Sequence, residues 1–129
     1  MYCLDTTIII DFLNAKEEIV NKVISLLENN KISVSPITLC EIYKGIFLYG
    51  NIKEELNVFS QFLEHIDILL FSKEVSKTFG EEYSRLKKEG IMIPEFDLII
   101  ASFVKSNNLT LITKDKHFNR IRGLKVEIW

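Results

Sequence analysis

Acidic side chains stand at the ends of apolar segments at two distant points of the chain. Asp5 follows the apolar residues 1–4, and Asp115 comes shortly after the apolar segment 109–113. We interpret both segments as buried strands, so that each acid lies at or just past the carboxyl end of a strand. In an open parallel sheet this edge is where ligands bind. One carboxylate there is an ordinary helix cap or loop residue, whereas three or four together form a metal site.

Strands and helices alternate along the whole sequence, as judged from apolar periods of about 2 and about 3.6 residues. This alternation predicts an α/β sandwich, in which a parallel sheet with right-handed connections lies between helices. The predicted strands are residues 1–4, 32–35, 66–71, 109–113 and 124–128. The predicted helices are residues 8–13, 16–29, 37–48, 53–64, 73–89 and 95–106.

Two further acids lie on helices that begin at the same edge. Glu41 is on the early turns of the helix that leaves the second strand, and Asp97 is in the first turn of the helix that begins near Pro94. That second helix is apolar on nearly every side, so we expect it to be central and buried. The topology therefore draws Asp5, Glu41, Asp97 and Asp115 toward one rim of the sheet.

A cluster of these carboxylates needs compensation for its negative charge. Two carboxylates about 5 Å apart repel by roughly 3 kcal/mol at an effective dielectric constant near 20. Protons or a hard cation must enter the cluster, and oxygen ligands completed by water suit Mg²⁺ or Mn²⁺. Such an ion polarises a phosphodiester and lowers the pKa of a bound water. The cluster therefore favours hydrolysis of a nucleic-acid backbone.

Each acid also has an ordinary explanation when it is taken alone. These explanations are a helix cap for Asp5, an exposed surface position for Glu41, a helix-dipole interaction for Asp97 and a loop position for Asp115. Thr6 or Thr7 is the predicted N-cap of the first helix, which makes a capping role for Asp5 unnecessary. Asp11, on the same helix, is expected to be solvated.

Hydroxyl, imidazole and basic side chains accompany the acids. Thr6 and Thr113 each lie near an acid, where they can support a ligand or simply cap or finish an element. His117 can contact phosphate or lie on the surface. Basic residues near the end of the chain form either a solvated face or a patch that contacts phosphates. These residues are Lys105, Lys114, Lys116, Arg120, Arg122 and Lys125.

Composition limits the class of protein. With 129 residues, the chain has enough material for one core and too little for two ordinary domains, so we expect a single domain over residues 1–129. Hydrophobic residues at 47%, charged residues at 26% and a net charge of -2 indicate a soluble globular chain without global attraction for nucleic acid. No signal-peptide pattern and no apolar run near the roughly 20 residues of a membrane span are found, which predicts a cytosolic protein. Cys3 and Cys40 lie in apolar segments without CxxC spacing and are predicted to be buried thiols.

These pieces together resemble a PIN domain, and specifically the VapC-type toxin nucleases of toxin-antitoxin pairs. The resemblance extends over the whole chain, and its motifs occur in the family's order. The segments that carry it are YCLDT at 2–6, SPITLCEI at 35–42, FDLIIA at 96–101, LITKDKHF at 111–118 and GLKVEIW at 123–129.

The resemblance implies a role for each of the acids. Asp5, Glu41, Asp97 and Asp115 correspond to the family's acidic metal-binding positions, and Thr6 and Thr113 correspond to its supporting hydroxyls. The implied fold is a three-layer sandwich with a parallel sheet of order 3-2-1-4-5. The implied activity is that of an Mg²⁺- or Mn²⁺-dependent endoribonuclease with a cognate antitoxin as inhibitor and a homodimer as assembly. The residues expected to guide the RNA strand are Lys114, Lys116, Arg120 and Arg122. Thr7 departs from the family pattern, because many relatives carry Asn there.

Two other classes of function stay open at the level of the sequence. A phosphatase of the haloacid-dehalogenase type also has a nucleophilic Asp at the end of its first strand, but it needs a second acid two residues on, where this chain has Thr7. A non-catalytic binding module would use the acidic rim to hold a basic protein, or not use it at all.

Overall fold

The computed structural model describes residues 1–129, in which strands and helices alternate. The strands are β1 (Tyr2–Leu4), β2 (Ile32–Val34), β3 (Asp67–Ile68), β4 (Thr110–Thr113) and β5 (Lys125–Ile128). The helices are α1 (Thr6–Leu13), α2 (Glu17–Asn29), α3 (Pro36–Tyr49), α4 (Ile52–Leu63), α5 (Lys73–Glu89) and α6 (Glu95–Ser106), and a short 3₁₀ helix spans Lys116–Arg120. The helix bounds agree with the predicted ones to within two residues. None of these helices combines the length and the apolar character that crossing a bilayer requires.

The strands form one parallel sheet in the order β3-β2-β1-β4-β5, which confirms the predicted fold. β1 is central, with Tyr2 paired to Ile32 of β2 and to Thr110 of β4. The amide of Asp5 donates to the carbonyl oxygen of Ile112 at 2.9 Å, so the pairing with β4 continues to the end of β1. The carboxyl ends of β1 and β4 therefore lie side by side at one edge.

Apolar side chains cover both faces of the sheet and make two cores. Successive residues of β1 point to opposite faces, so Leu4 belongs to the core under α1 to α4 and Cys3 to the core under α5 and α6. Phe59 and Leu98 are fully buried members of the two cores. Helices on both faces give the three layers that the sequence predicts.

Helix α6 is the buried helix that the sequence predicts, and it begins directly after Pro94. Its side chains Leu98, Ile100 and Phe103 have no solvent exposure. Because these residues fix the helix against the sheet, its first turn is held at the carboxyl edge. This turn carries Asp97.

Two predictions, one about a strand and one about a cysteine, are wrong. The predicted strand over residues 66–71 is reduced to Asp67–Ile68, because β3 is an edge strand and the chain leaves the sheet after the amide of Leu69 donates to Val34. Cys3 is buried as predicted, and burial raises the pKa of its thiol to about 12. Cys40 is exposed, because it lies on the outer side of α3. The apolar neighbours of Cys40 in the sequence did not predict its burial correctly, because α3 has apolar residues on more than one side.

A buried ionic network on the other side of the sheet anchors the segment that follows the 3₁₀ helix. The carboxylate of Glu82, on α5, accepts hydrogen bonds from Lys105 Nζ at 2.6 Å and from Arg85 Nη2 at 2.8 Å. The same two cations donate to the carbonyl oxygens of Arg122 and Arg120, each at 2.9 Å. Burial disfavours ionisation of Glu82, but the bonds from Lys105 and Arg85 outweigh it and lower the pKa of the carboxyl.

We predict that Glu82→Gln destabilises the fold by about 2–3 kcal/mol, because it leaves the partly buried Lys105 without a counter-charge and Arg85 with Glu89 alone. Urea unfolding at pH 7 measures this as a lower midpoint with an unchanged slope. Glu81→Gln is the matched control: Glu81 is exposed and makes only a 3.7 Å pair with Lys77, so its loss is expected to cost less than about 0.5 kcal/mol. Equal midpoints for the two variants would contradict the role of the network.

Candidate metal centre

Asp5 is the most deeply buried acid at the carboxyl edge. It is 2% exposed, and its Oδ2 accepts hydrogen bonds from Thr113 Oγ1 at 2.7 Å and from Thr7 Oγ1 at 3.3 Å. The predicted N-cap, Thr6 or Thr7, is wrong: Asp5 itself holds the N-cap position of α1, and its side chain makes no capping hydrogen bond. Burial raises the pKa of Asp5, although the bond from Thr113 opposes the shift.

Glu41 reaches the same edge from α3, whose start is well defined. Ser35 is the N-cap, and its hydroxyl accepts from the amide of Thr38 at 3.1 Å, with Pro36 in the first turn. Glu41 Oε1 accepts a hydrogen bond from Thr6 Oγ1 at 2.7 Å. The hydroxyl of Thr6 therefore orients the carboxylate of Glu41, 35 residues away in the chain.

Asp97 lies where the other acids converge. Burial raises the pKa of its carboxyl, and the negative charges of Asp5, Glu41 and Asp115 raise it further, to about 6. The nearby His117 opposes this shift. Asp5, Glu41 and Asp115 therefore lie near enough to Asp97 for their charges to act on it. The group whose ligand atoms lie within 4.8 Å of one another consists of Asp97, Asp115 and His117, without Asp5 and Glu41.

His117 belongs to the cluster, although no metal-binding role was predicted for it from the sequence. It was expected to contact phosphate or to lie on the surface, but its Nε2 lies 3.0 Å from Asp97 Oδ2 and its Nδ1 lies 3.7 Å from Asp115 Oδ1. Asp115 is itself positioned by Thr113, whose hydroxyl accepts from the amide of Asp115 at 3.0 Å. The sequence feature that could have indicated this position is the two-residue spacing between Asp115 and His117, which places His117 in the same tight turn.

The basic residues near the site are mostly engaged elsewhere. Lys114 Nζ lies 2.6 Å from Asp11 Oδ2, and Lys16 pairs with the other oxygen at 2.6 Å. Asp11 is only 6% exposed, so the expectation that it is solvated is wrong. The hydrogen bonds from Lys114 and Lys16 lower the pKa of Asp11. These pairs tie α1 to the loop that carries Asp115.

The other basic residues that were expected to guide RNA have different surroundings. Arg120 Nη1 donates to the carbonyl oxygen of Met92 at 3.0 Å, and Arg122 Nη2 lies 3.2 Å from Glu89. Lys116 is exposed beside Asp115 in sequence and makes no ion pair or hydrogen bond. Lys116 is therefore the most available of them for a phosphate.

The donor set of the edge fits a divalent cation. No lysine or arginine pairs with Asp5, Glu41, Asp97 or Asp115, so their combined charge is not neutralised by a fixed cation of the protein. Three of the groups here, Asp97, Asp115 and His117, place one potential ligand atom each within 4.8 Å of the others. Carboxylate oxygens are suitable ligands for both Mg²⁺ and Mn²⁺.

Comparison with known proteins identifies relatives over the full chain. Residues 2–124 match the family described as PIN domain. Ribonuclease VapC2 of Rickettsia felis is 32% identical over 131 residues, which covers 100% of this chain and 98% of the relative. The tRNA(fMet)-specific endonuclease VapC of Shigella flexneri is 28% identical over 129 residues, with 99% and 97% covered.

Solved structures of toxin-antitoxin complexes show the same fold. VapBC2 from Rickettsia felis, bound to a DNA fragment from its promoter, superposes with a TM-score of 0.92 at 32% identity, with 99% of this chain and 98% of that chain covered. VapBC-1 from nontypeable Haemophilus influenzae superposes with a TM-score of 0.88 at 33% identity, with 99% and 97% covered. With matches of this length, the same fold and an acidic edge at the ends of β1 and β4, the chain belongs to the PIN-domain family and, within it, to the VapC-type proteins.

Proposed function

We propose that the chain is the toxin of a VapBC-type pair, an endoribonuclease that hydrolyses RNA phosphodiester bonds with Mg²⁺ or Mn²⁺. Asp5, Glu41, Asp97 and Asp115 hold the ion, directly or through water. The observation that carries the proposal is the meeting of ligand atoms from distant segments: Asp97, Asp115 and His117 each place one within 4.8 Å of the others. The charges of Asp5 and Glu41 also act on Asp97. The ribonuclease names of relatives at 32% and 33% identity support the reaction and the substrate class.

The chain's own residues hold the acids in place. Thr113 donates to Asp5 and Thr6 donates to Glu41, so each carboxylate keeps a fixed orientation and still has lone pairs free. The hydroxyls bring no charge and leave the site anionic. A bound divalent ion supplies the counter-charge, polarises the phosphodiester and lowers the pKa of a water molecule.

RNA is held beside this edge by the exposed basic residues. Lys116 is free to contact a phosphate. Lys114, Arg120 and Arg122 keep their ion pairs or backbone contacts and contribute positive potential near the strand. Cleavage requires RNA in the cell, so we place the active protein in the cytoplasm. We take residues 1–129 as one catalytic domain, and the homodimer implied by the family resemblance stays a prediction.

A groove next to the acidic edge suits the antitoxin. It lies between α1, α3 and α4 and has a volume of about 550 Å³. Its walls are apolar at Ile10, Ile46 and Val58. Carboxylates at its margins favour a partner segment that is apolar with basic residues, and one of them, Glu41, also belongs to the proposed metal centre. A segment in this groove can therefore reach a residue that holds the ion, which explains how binding would inhibit cleavage.

We predict that Asp97→Asn lowers RNA cleavage at least about a hundredfold, because it removes one of the carboxylates proposed to hold the ion. Single-turnover cleavage of a fluorescent RNA in the presence of Mn²⁺ measures the loss, and circular dichroism shows that the fold is kept. Glu95→Gln is the matched control, since Glu95 is exposed in the same helical turn. Cleavage retained by Asp97→Asn would count against the proposed function and leave a non-catalytic module.

We predict a pH-dependent stability cost from Asp97 when metal ions are removed with EDTA. Its pKa of about 6 in the folded chain lies above the usual value near 3.9, so the folded state binds more protons between these values. Stability therefore falls as the pH rises from about 4 to about 6 and stays lower above it. Urea unfolding should show wild type losing up to about 3 kcal/mol relative to Asp97→Asn across this window. Parallel profiles for the two proteins would refute the predicted cost.

We predict that Tyr49→Ala weakens binding of the cognate antitoxin by about tenfold or more, because Tyr49 lines the groove and is 87% exposed in the free chain. Calorimetry measures the affinity. Phe47→Ala is the matched control, since Phe47 is an exposed aromatic on the same helix outside the groove. Equal losses of antitoxin affinity in the two variants would contradict binding of the antitoxin in the groove.

A further inference from the structure

We propose that His117 supplies a ring nitrogen to the divalent ion, beside Asp97 and Asp115, and that this ligand makes the centre favour a first-row transition ion over Mg²⁺. The proposal rests on the proposed function, because it concerns the same ion. It assigns a ligand that lies outside the four acids.

The spacing of the donor atoms is that of neighbouring ligands on one ion. His117 Nε2 and Asp97 Oδ2 are 3.0 Å apart. Two ligand atoms each about 2.1 Å from an ion and at right angles to one another are separated by about 3.0 Å. Asp115 offers a third ligand atom, which lies within 4.8 Å of a ligand atom of each of the other two residues.

The ring nitrogen has no other partner in the chain. His117 Nε2 is buried and makes no hydrogen bond. Although Asp97 Oδ2 is 3.0 Å away, the contact does not have the geometry of a hydrogen bond, so it is a close approach of two potential ligand atoms. A buried nitrogen without a partner requires an explanation. An ion between the nitrogen and the carboxylate provides one.

The fold holds the imidazole in this position from both sides. The next residue, Phe118, is fully buried and anchors the 3₁₀ helix to the core. The ring of Phe118 lies 4.7 Å from that of His117. Asp115 Oδ1 stands 3.7 Å from the other ring nitrogen, Nδ1.

A nitrogen ligand changes which ion binds best. Mg²⁺ prefers oxygen ligands and retains its waters, whereas imidazole suits transition ions. A site of carboxylates alone would discriminate less between Mg²⁺ and a transition ion than one that adds His117. The competing explanation is that His117 serves as a cation that pairs with Asp97 only while metal is absent.

Electron spin echo spectroscopy of the Mn²⁺-loaded protein at pH 8 separates these explanations, because it detects a nitrogen bound to the ion. We expect a nitrogen coupling in wild type that persists in His65→Gln and disappears in His117→Gln. His65 is the matched control, since it is the chain's other histidine and is exposed. Calorimetry should show Mn²⁺ affinity reduced about tenfold or more in His117→Gln, with Mg²⁺ affinity changed less than about threefold.

The outcomes distinguish this inference from the proposed function. Tight Mn²⁺ binding without a nitrogen coupling in wild type would overturn the role of His117 and leave the four acids as the metal centre. An unchanged ratio of Mn²⁺ to Mg²⁺ affinity in His117→Gln would also overturn it. Absence of any Mn²⁺ binding by wild type at millimolar concentration would overturn both proposals.

Discussion

Carboxylates held close together at the carboxyl edge of β1 and β4 repel one another, and the groups around them are arranged to tolerate this repulsion. Asp5 is 2% exposed, so water does little to relieve the charge that it shares with its neighbours. Its place is fixed by the central strand, which is paired on both sides and covered on both faces. Burial of apolar side chains in the two cores supplies the stability that allows like charges to be held together. A divalent ion turns this unfavourable arrangement into a binding site.

The hydrogen-bond donors around the edge leave the negative charge of the acids free to attract a cation. Neutral hydroxyls orient the acids: Thr113 donates to Asp5, and Thr6 donates to Glu41. Fixed cations are paired with acids outside the centre, as Lys114 is with Asp11. A lysine or arginine on one of the four acids would have neutralised the charge that attracts the ion. The one nitrogen base that touches them is His117, which is able to be uncharged.

The helices that form the groove connect the chemistry to its proposed control. Glu41 accepts a hydrogen bond at the centre and also lines the groove between α1, α3 and α4. A partner in the groove therefore reaches the centre without any movement of the sheet. On the opposite face, Glu82 joins Lys105 and Arg85 and secures the chain that follows the 3₁₀ helix.

The sheet, its helices and the edge at which the acids gather were predictable from local sequence patterns. Apolar periodicity is local, and parallel strands must end on one side, so Asp5 and Asp115 were predictable neighbours. The partners of individual side chains were not predictable, because they depend on how the elements pack. Thr6 orients Glu41, Asp11 is buried by two lysines and His117 faces Asp97. These pairings depend on distances between segments far apart in the chain and on side-chain direction, neither of which a local pattern records.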